Sequence, residues 1–318
     1  MANNNDLNKN SKVNVREMIA NNKEKNSLSN ITEKLVPTLL FLITAVSILT
    51  TIGIIYTLLS EAIEFFRRVP IWEFFTSVEL DPFGPDPEFG ILPLINGTII
   101  SSLIAMAVAG PIGLMTAVYL SEYASEKVRR TLKPLLEVLA GIPTIVYGFF
   151  AFTFVTPILQ LIIPGLSLTN ILSPGLVIGV MIIPMIASLS EDAMTSVPNS
   201  MREGALALGS TKLEVALKVV IPAAFSGIIS SFVLAISRAI GETMIVAIAS
   251  GSSKDFTFDI TESMQTMTAY IVEISSGDIS TGTTMYYSLY AVAITLFVFT
   301  LIMNLLARYI SRKFREEY

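Results

Sequence analysis

The run from Val138 to Ser190 contains no Asp, Glu, Lys or Arg. A helix that crosses a bilayer needs about 20 mostly apolar residues. The run is long enough for two, and Pro164-Gly165 and Ser173-Pro174-Gly175 supply the break between them. Leu35–Ser60, Phe89–Ser121 and Ile279–Ala307 are also free of charge, and Val219–Ser250 is interrupted only by Arg238 and Glu242. Of the 318 residues, 52% are apolar and 15% charged, against about 25% charged in an average soluble domain. The pattern predicts an all-α membrane protein with six transmembrane helices, at 36–60, 91–121, 136–162, 174–191, 218–250 and 284–308.

The basic residues orient these spans. Lys9, Lys12, Arg16, Lys23, Lys25 and Lys34 precede the first, and Lys127, Arg129, Arg130 and Lys133 follow the second. Arg202, Lys212 and Lys218 lie between the fourth and fifth, and Arg308, Arg312, Lys313 and Arg315 follow the sixth. The alternate connections hold only Arg67, Arg68 and Lys254. By the positive-inside rule both termini and the 192–217 connection are cytoplasmic.

Residues 1–34 are rich in Asn and charge and lack apolar periodicity, so they read as a disordered cytoplasmic tail before a transmembrane domain at 35–318. They do not read as a signal peptide, because no apolar core follows a short basic start. The external segment 61–90 carries seven carboxylates with Trp72 and several Phe. Its stretch Glu61–Phe75 is either an interfacial helix or part of a solvated loop. Residues 251–283 read as a second polar external segment.

The chain has no Cys and no His, which excludes disulfides, thiol chemistry and a histidine proton relay. No Gly-x-x-x-x-Gly-Lys-Ser/Thr loop is present; Gly209-Ser210-Thr211-Lys212 lacks the spacing. The sequence therefore predicts no catalytic residue, no metal site, no cofactor bound by this chain and no nucleic-acid partner.

Arg238 and Glu242 lie in span five, four apart and hence on one helical face. A charge at bilayer depth costs about 2.5–3.5 kcal/mol on insertion scales, so both should face protein or a wet cavity. Two readings stand: a structural salt bridge, or a lining of the translocation route. In the second, Arg238 would contact an anion through its planar fork. Glu242 would accept a hydrogen bond from phosphate, which keeps a proton at neutral pH, whereas sulfate has none. Ser237 and Thr243 are weaker candidates for the same pathway.

Residues 203–222 are polar and charged between two apolar stretches. Glu203, Gly204, Ala205, Gly209, Val219, Ile221 and Pro222 resemble the cytoplasmic signature loop of ABC-importer permeases. There the loop folds as a short helix that docks into an ATPase subunit. Gly204 departs from the pattern, standing where alanine is usual. Further stretches narrow the resemblance to the C-type permease subunit of phosphate-specific ABC importers: Phe89–Leu94, Gly97-Thr98, Tyr119–Tyr123, Lys133-Pro134, Glu137, Gly141-Ile142-Pro143, Tyr147–Phe150, Arg202–Pro222 and Arg238–Met244.

The resemblance implies a type I ABC importer permease fold in the bacterial inner membrane. It also implies an assembly with a sister A-type permease, two ATP-binding cassette ATPase subunits and an external phosphate-binding protein. ATP and Mg would be bound by the ATPases, and phosphate would cross between the permeases. Two alternatives remain open: an ion-coupled secondary anion transporter, and a permease for another oxyanion. A membrane scaffold, with a purely structural charge pair, is a third.

Overall fold

A computed structural model describes residues 15–313; Met1–Asn14 and residues 314–318 lie outside the described residues, and with them Lys9, Lys12 and Arg315. The chain divides into two compact units, Met1–Thr57 and Leu58–Tyr318. In the first, helix α1 (Val15–Arg68) begins well inside the segment expected to be disordered, so residues 15–34 are helical backbone. From Leu35 to Thr57 most of its side chains are apolar, on every face, and exposed. An all-round apolar helix belongs in lipid or a large core.

In the second unit, α1 ends at Arg68 and is followed by α2 (Ile71–Thr76) and a hairpin of β1 (Leu80–Asp81) and β2 (Glu88–Phe89). Leu80 pairs with Phe89 and Asp81 with Glu88, antiparallel. Segment 61–90 is therefore folded, neither a plain loop nor a single interfacial helix. Phe65 meets Phe74 and Phe89 edge-on at 5.4 and 5.5 Å, and these rings join Ile91, Leu94 and Tyr270 in one buried cluster.

The remaining helices are α3 (Leu92–Val118, prolonged by a π turn at Tyr119–Tyr123), α4 (Glu126–Ala140), α5 (Thr144–Phe150), α6 (Thr156–Ile162), α7 (Leu172–Thr195) and α8 (Asn199–Ala207). They are followed by α9 (Lys212–Val215), α10 (Ile221–Ala223), α11 (Phe225–Ile240), α12 (Met244–Ala249), α13 (Met267–Ser276) and α14 (Thr284–Lys313). Among the described residues, five helical segments are long and apolar enough to cross a membrane. A sixth is counted if Lys212–Ala223 and Phe225–Ile240, bent by 73°, form one span.

Helices α3 and α7 form the central pair. A Cβ on Gly175 would lie 2.8 Å from Ile104, and one on Gly179 would lie 2.9 Å from the Ala105 carbonyl. This small-x-x-x-small spacing lets two backbones approach in the way membrane helices favour. Around the pair, Ala105, Ile178, Ile182, Ala235 and Ile245 form the main core. Met194, Val197, Val215, Val220 and Ile228 form a second core under the 192–217 connection.

Three expected boundaries change. The third span begins at Thr144, not near 136, because Gly141 and Pro143 end the amphipathic helix α4 at Ala140. The fifth is not one helix over 218–250. Pro222 cannot donate the backbone bond of its turn, a π segment (Ala216–Val220) precedes it, and the chain bends at Ala224. It breaks again at Gly241–Thr243. Segment 251–283 is more than a polar connection: in its middle α13 is largely buried, with Tyr270 fully enclosed.

Candidate docking helix and substrate cavity

Pro198 introduces α8, and Gly209 closes it. Gly209 has φ +90°. Its N–H donates to the Leu206 carbonyl at 2.9 Å and the Ser210 N–H to the Ala205 carbonyl at 3.2 Å. These two bonds make a Schellman cap, in which only glycine takes the left-handed position without a steric penalty. Thr211 and Glu214 then start α9 as a capping box. The glycine six residues after Glu203 thus has a local cause.

Glu203 and Gly204 are exposed, and a Cβ at Gly204 would meet nothing within 4 Å. The departure from alanine therefore costs no packing inside this chain. Ala205 is half-buried against the second core. Leu208 is 89% exposed, and Leu206, Leu213 and Leu217 are also exposed. Pro222 stands apart from this face, at the bend.

Arg202 fixes α8 to the end of α3. It donates to Glu122 at 3.1 Å, to the Met194 carbonyl at 2.7 Å, and to the Val197 carbonyl. Its side chain is 15% exposed and that of Glu122 is 9%. Beside it, Glu191 is fully buried and pairs with Arg129 and with Lys133, the latter at 2.8 Å. Burial opposes the Lys133 charge, but hydrogen bonds to Asp192 and Glu191 outweigh it and hold its pKa above the ordinary lysine value. The positive-inside count used these cations without seeing their partners. The signal was the Glu122 of the Tyr119–Tyr123 stretch and the Glu191-Asp192 pair directly after a charge-free run.

The structure does not bring Arg238 and Glu242 together. Glu242 is 8% exposed, and its carboxylate accepts the Met244 and Ile245 N–H groups at 3.1 and 3.4 Å. It caps α12, where the helix dipole favours a negative charge. No salt bridge joins it to Arg238 among the described residues. The shared helical face fails because the helix ends at Ile240. Ser237 turns to Asn304 on α14 at 3.4 Å, and Thr243 donates to the Gly241 carbonyl at 3.2 Å.

Arg238 is exposed and makes no ion pair or side-chain hydrogen bond among the described residues. It lines a cavity of about 260 Å³. The other walls are Leu136, Glu137 and Ala140 of α4 and Met181, Pro184, Met185 and Ser188 of α7. An arginine that is left unpaired over a small cavity can take an anion through its five N–H donors.

Five helical segments long enough to cross a membrane, one broken span and an exposed short helix with apolar side chains are the architecture of a multi-pass membrane protein. Comparison with known proteins agrees. The family described as binding-protein-dependent transport system inner membrane component matches residues 109–316. A probable ABC transporter permease, YqgH of Bacillus subtilis, is 33% identical, covering 76% of this chain and 78% of its own. The phosphate transport system permease protein PstC of Mesorhizobium japonicum is 33% identical, with 75% and 77% covered. A protein named as a probable PstC from Methanocaldococcus jannaschii is 30% identical, with 79% and 87% covered. Among solved structures, a bacterial ABC transporter involved in import of the acidic polysaccharide alginate superposes with TM-score 0.60 at 15% identity. It covers 94% of this chain and all of the alginate-importer chain. The chain belongs to the family of binding-protein-dependent transport system inner membrane components.

Proposed function

We propose that this chain forms half of the translocation pathway for inorganic phosphate in an ATP-driven importer. The observation that carries this reading is Arg238: a cation with no partner among the described residues, opening on a cavity between α4, α7 and α11. The phosphate permeases among the relatives supply the anion's identity.

The partners are a sister A-type permease, two ATPase subunits that bind ATP and Mg, and an external phosphate-binding protein. The exposed face of α8, with Glu203, Gly204 and Leu208, docks on an ATPase. Contiguous exposed apolar side chains rimmed by charge mark partner surfaces. ATP-driven closure of the ATPases moves α8, and Arg202 carries that motion to α3 through Glu122. The cavity then opens outward, receives phosphate, and opens inward after hydrolysis. A secondary transporter would leave this docking face without a purpose. Both termini and α8 are cytoplasmic in this reading, and the 61–90 hairpin is external.

The test is purification with the neighbouring subunits followed by reconstitution in vesicles. An ATPase should co-purify, and labelled phosphate should accumulate only with ATP and binding protein. Uptake by this chain alone would overturn the reading. Cysteines placed at the exposed Asp86 and Ser125 should report topology. Asp86→Cys should react with impermeant reagent from outside and Ser125→Cys should not.

A further inference from the structure

Within the phosphate reading above, on which the inference rests, the carboxylate that faces the substrate has to be identified. Glu242 is committed elsewhere: it is buried and holds two backbone N–H groups of α12, and Thr268 donates to its main-chain carbonyl at 2.7 Å. Moving that carboxylate into a cavity would leave the start of α12 uncapped. Glu137 has no such duty. It lies one turn after Lys133 on α4, is exposed, and makes no side-chain hydrogen bond or ion pair among the described residues. It lines the same cavity as Arg238. Ser188 of α7 adds a hydroxyl there that also makes no bond among the described residues.

We propose that Glu137 is a specificity-determining residue of the permease, accepting the hydrogen bond from the proton that phosphate retains while Arg238 and Ser188 donate to its other oxygens. The chemistry is selective because an ionised carboxylate only accepts. A fully deprotonated oxyanion offers it no donor and meets an unpaired like charge. Sulfate is therefore disfavoured at this point of the pathway, and arsenate, which keeps a proton as phosphate does, is accepted. Sites built to pair with a particular O–H reject analogues lacking it much more strongly than apolar pockets reject an extra methylene.

The test measures equilibrium binding of labelled phosphate, arsenate and sulfate to the whole complex in the absence of ATP and of the binding protein, so that the binding protein's own selectivity does not enter. In Glu137→Gln the side chain keeps its size but gains N–H donors that suit any oxyanion. The ratio of phosphate to sulfate affinity should fall about ten- to a hundredfold, the range set by one hydrogen bond to a charged group. Arsenate should follow phosphate. Arg238→Gln should weaken all three anions alike. Glu137→Asp should restore part of the selectivity. An unchanged ratio in Glu137→Gln, with the three anions still bound, overturns the role of Glu137 and leaves that of Arg238 standing. A ratio that changes in Glu242→Gln instead returns the role to Glu242. Undiminished binding in Arg238→Gln, or no saturable binding to the unaltered complex, overturns the anion cavity itself.

Discussion

Arg202 and Arg238 are both arginines near the ends of apolar stretches, and the structure uses them in opposite ways. Arg202 is largely enclosed and saturated, with a carboxylate and two main-chain carbonyls on its guanidinium. Arg238 is exposed to a cavity and bonds to nothing among the described residues. A saturated guanidinium ties helices together and has no donor left for a ligand. An unpaired one contributes little to the fold and keeps all of its donors. In the proposed mechanism the difference gives mechanical work to the 199–222 region and substrate contact to the α4–α7–α11 cavity.

The strongest way to break this contrast is a pair of double-mutant cycles. Arg238→Gln should lower phosphate uptake by about a hundredfold or more while the complex still assembles, since a bidentate charged contact is lost and no buried charge is orphaned. Adding Glu242→Gln should recover nothing, because the two groups do not pair. At the other site Glu122→Gln leaves Arg202 enclosed without its counter-ion. A cost of about 3 kcal/mol in thermal stability is expected, with loss of ATPase coupling. Adding Arg202→Gln should recover about 1–3 kcal/mol. Recovery of uptake in the 238/242 double variant would make that pair structural and erase the contrast.

Gly209 sharpens the comparison inside the docking region. Its φ of +90° penalises any side chain, so Gly209→Ala should cost about 1–2 kcal/mol locally. Space around it is otherwise open, with nothing within 4 Å of a Cβ. Gly209→Trp should therefore insert and assemble, yet uncouple ATP hydrolysis from uptake by obstructing the ATPase surface. Coupled uptake at the normal rate in Gly209→Trp would remove α8 from the docking role.

The transmembrane character of the chain and its family resemblance were legible in the sequence because they rest on long charge-free runs and local strings. The substrate site was half legible. Arg238 stood out as a charge in an apolar stretch, but its partner was inferred from an unbroken helical spacing. Nothing in the residue pattern announced that Glu242 would turn back to cap α12. Glu137 is part of the family resemblance, but its sequence position just before the charge-free run that begins at Val138 gives no sign that it lines the same cavity as Arg238. Residues 251–283 read as a polar external segment because Thr, Gln and Glu are polar. In the fold part of that polarity is bonded internally, although the buried Gln265 Oε1 has no partner among the described residues. The Met267 N–H donates to Thr98 at 3.0 Å, and Gln265 donates to Glu273 at 2.7 Å. Polar groups bonded to each other can be buried where isolated ones cannot.

The smallest expected effect lies in the same stretch of chain as Arg202. Lys218 pairs with Glu214 at 3.1 Å, one helical turn away, with side chains 73% and 45% exposed. Its separation equals the 3.1 Å of the Arg202–Glu122 pair, but it is a single contact and water and salt reach both groups. Exposed pairs of this kind gain little, since screening and side-chain entropy offset the attraction. Glu214 also keeps its place without the lysine, because the Thr211 N–H and hydroxyl both donate to it at 3.0 Å. Lys218→Ala should therefore leave the thermal midpoint and phosphate uptake unchanged, and raising the salt concentration should not separate the variant from the parent. If Lys218→Ala uncoupled the complex as Glu122→Gln is expected to, burial would not be what distinguishes the ion pairs that carry motion. Lys218 would then have to be counted among the groups that touch the ATPase.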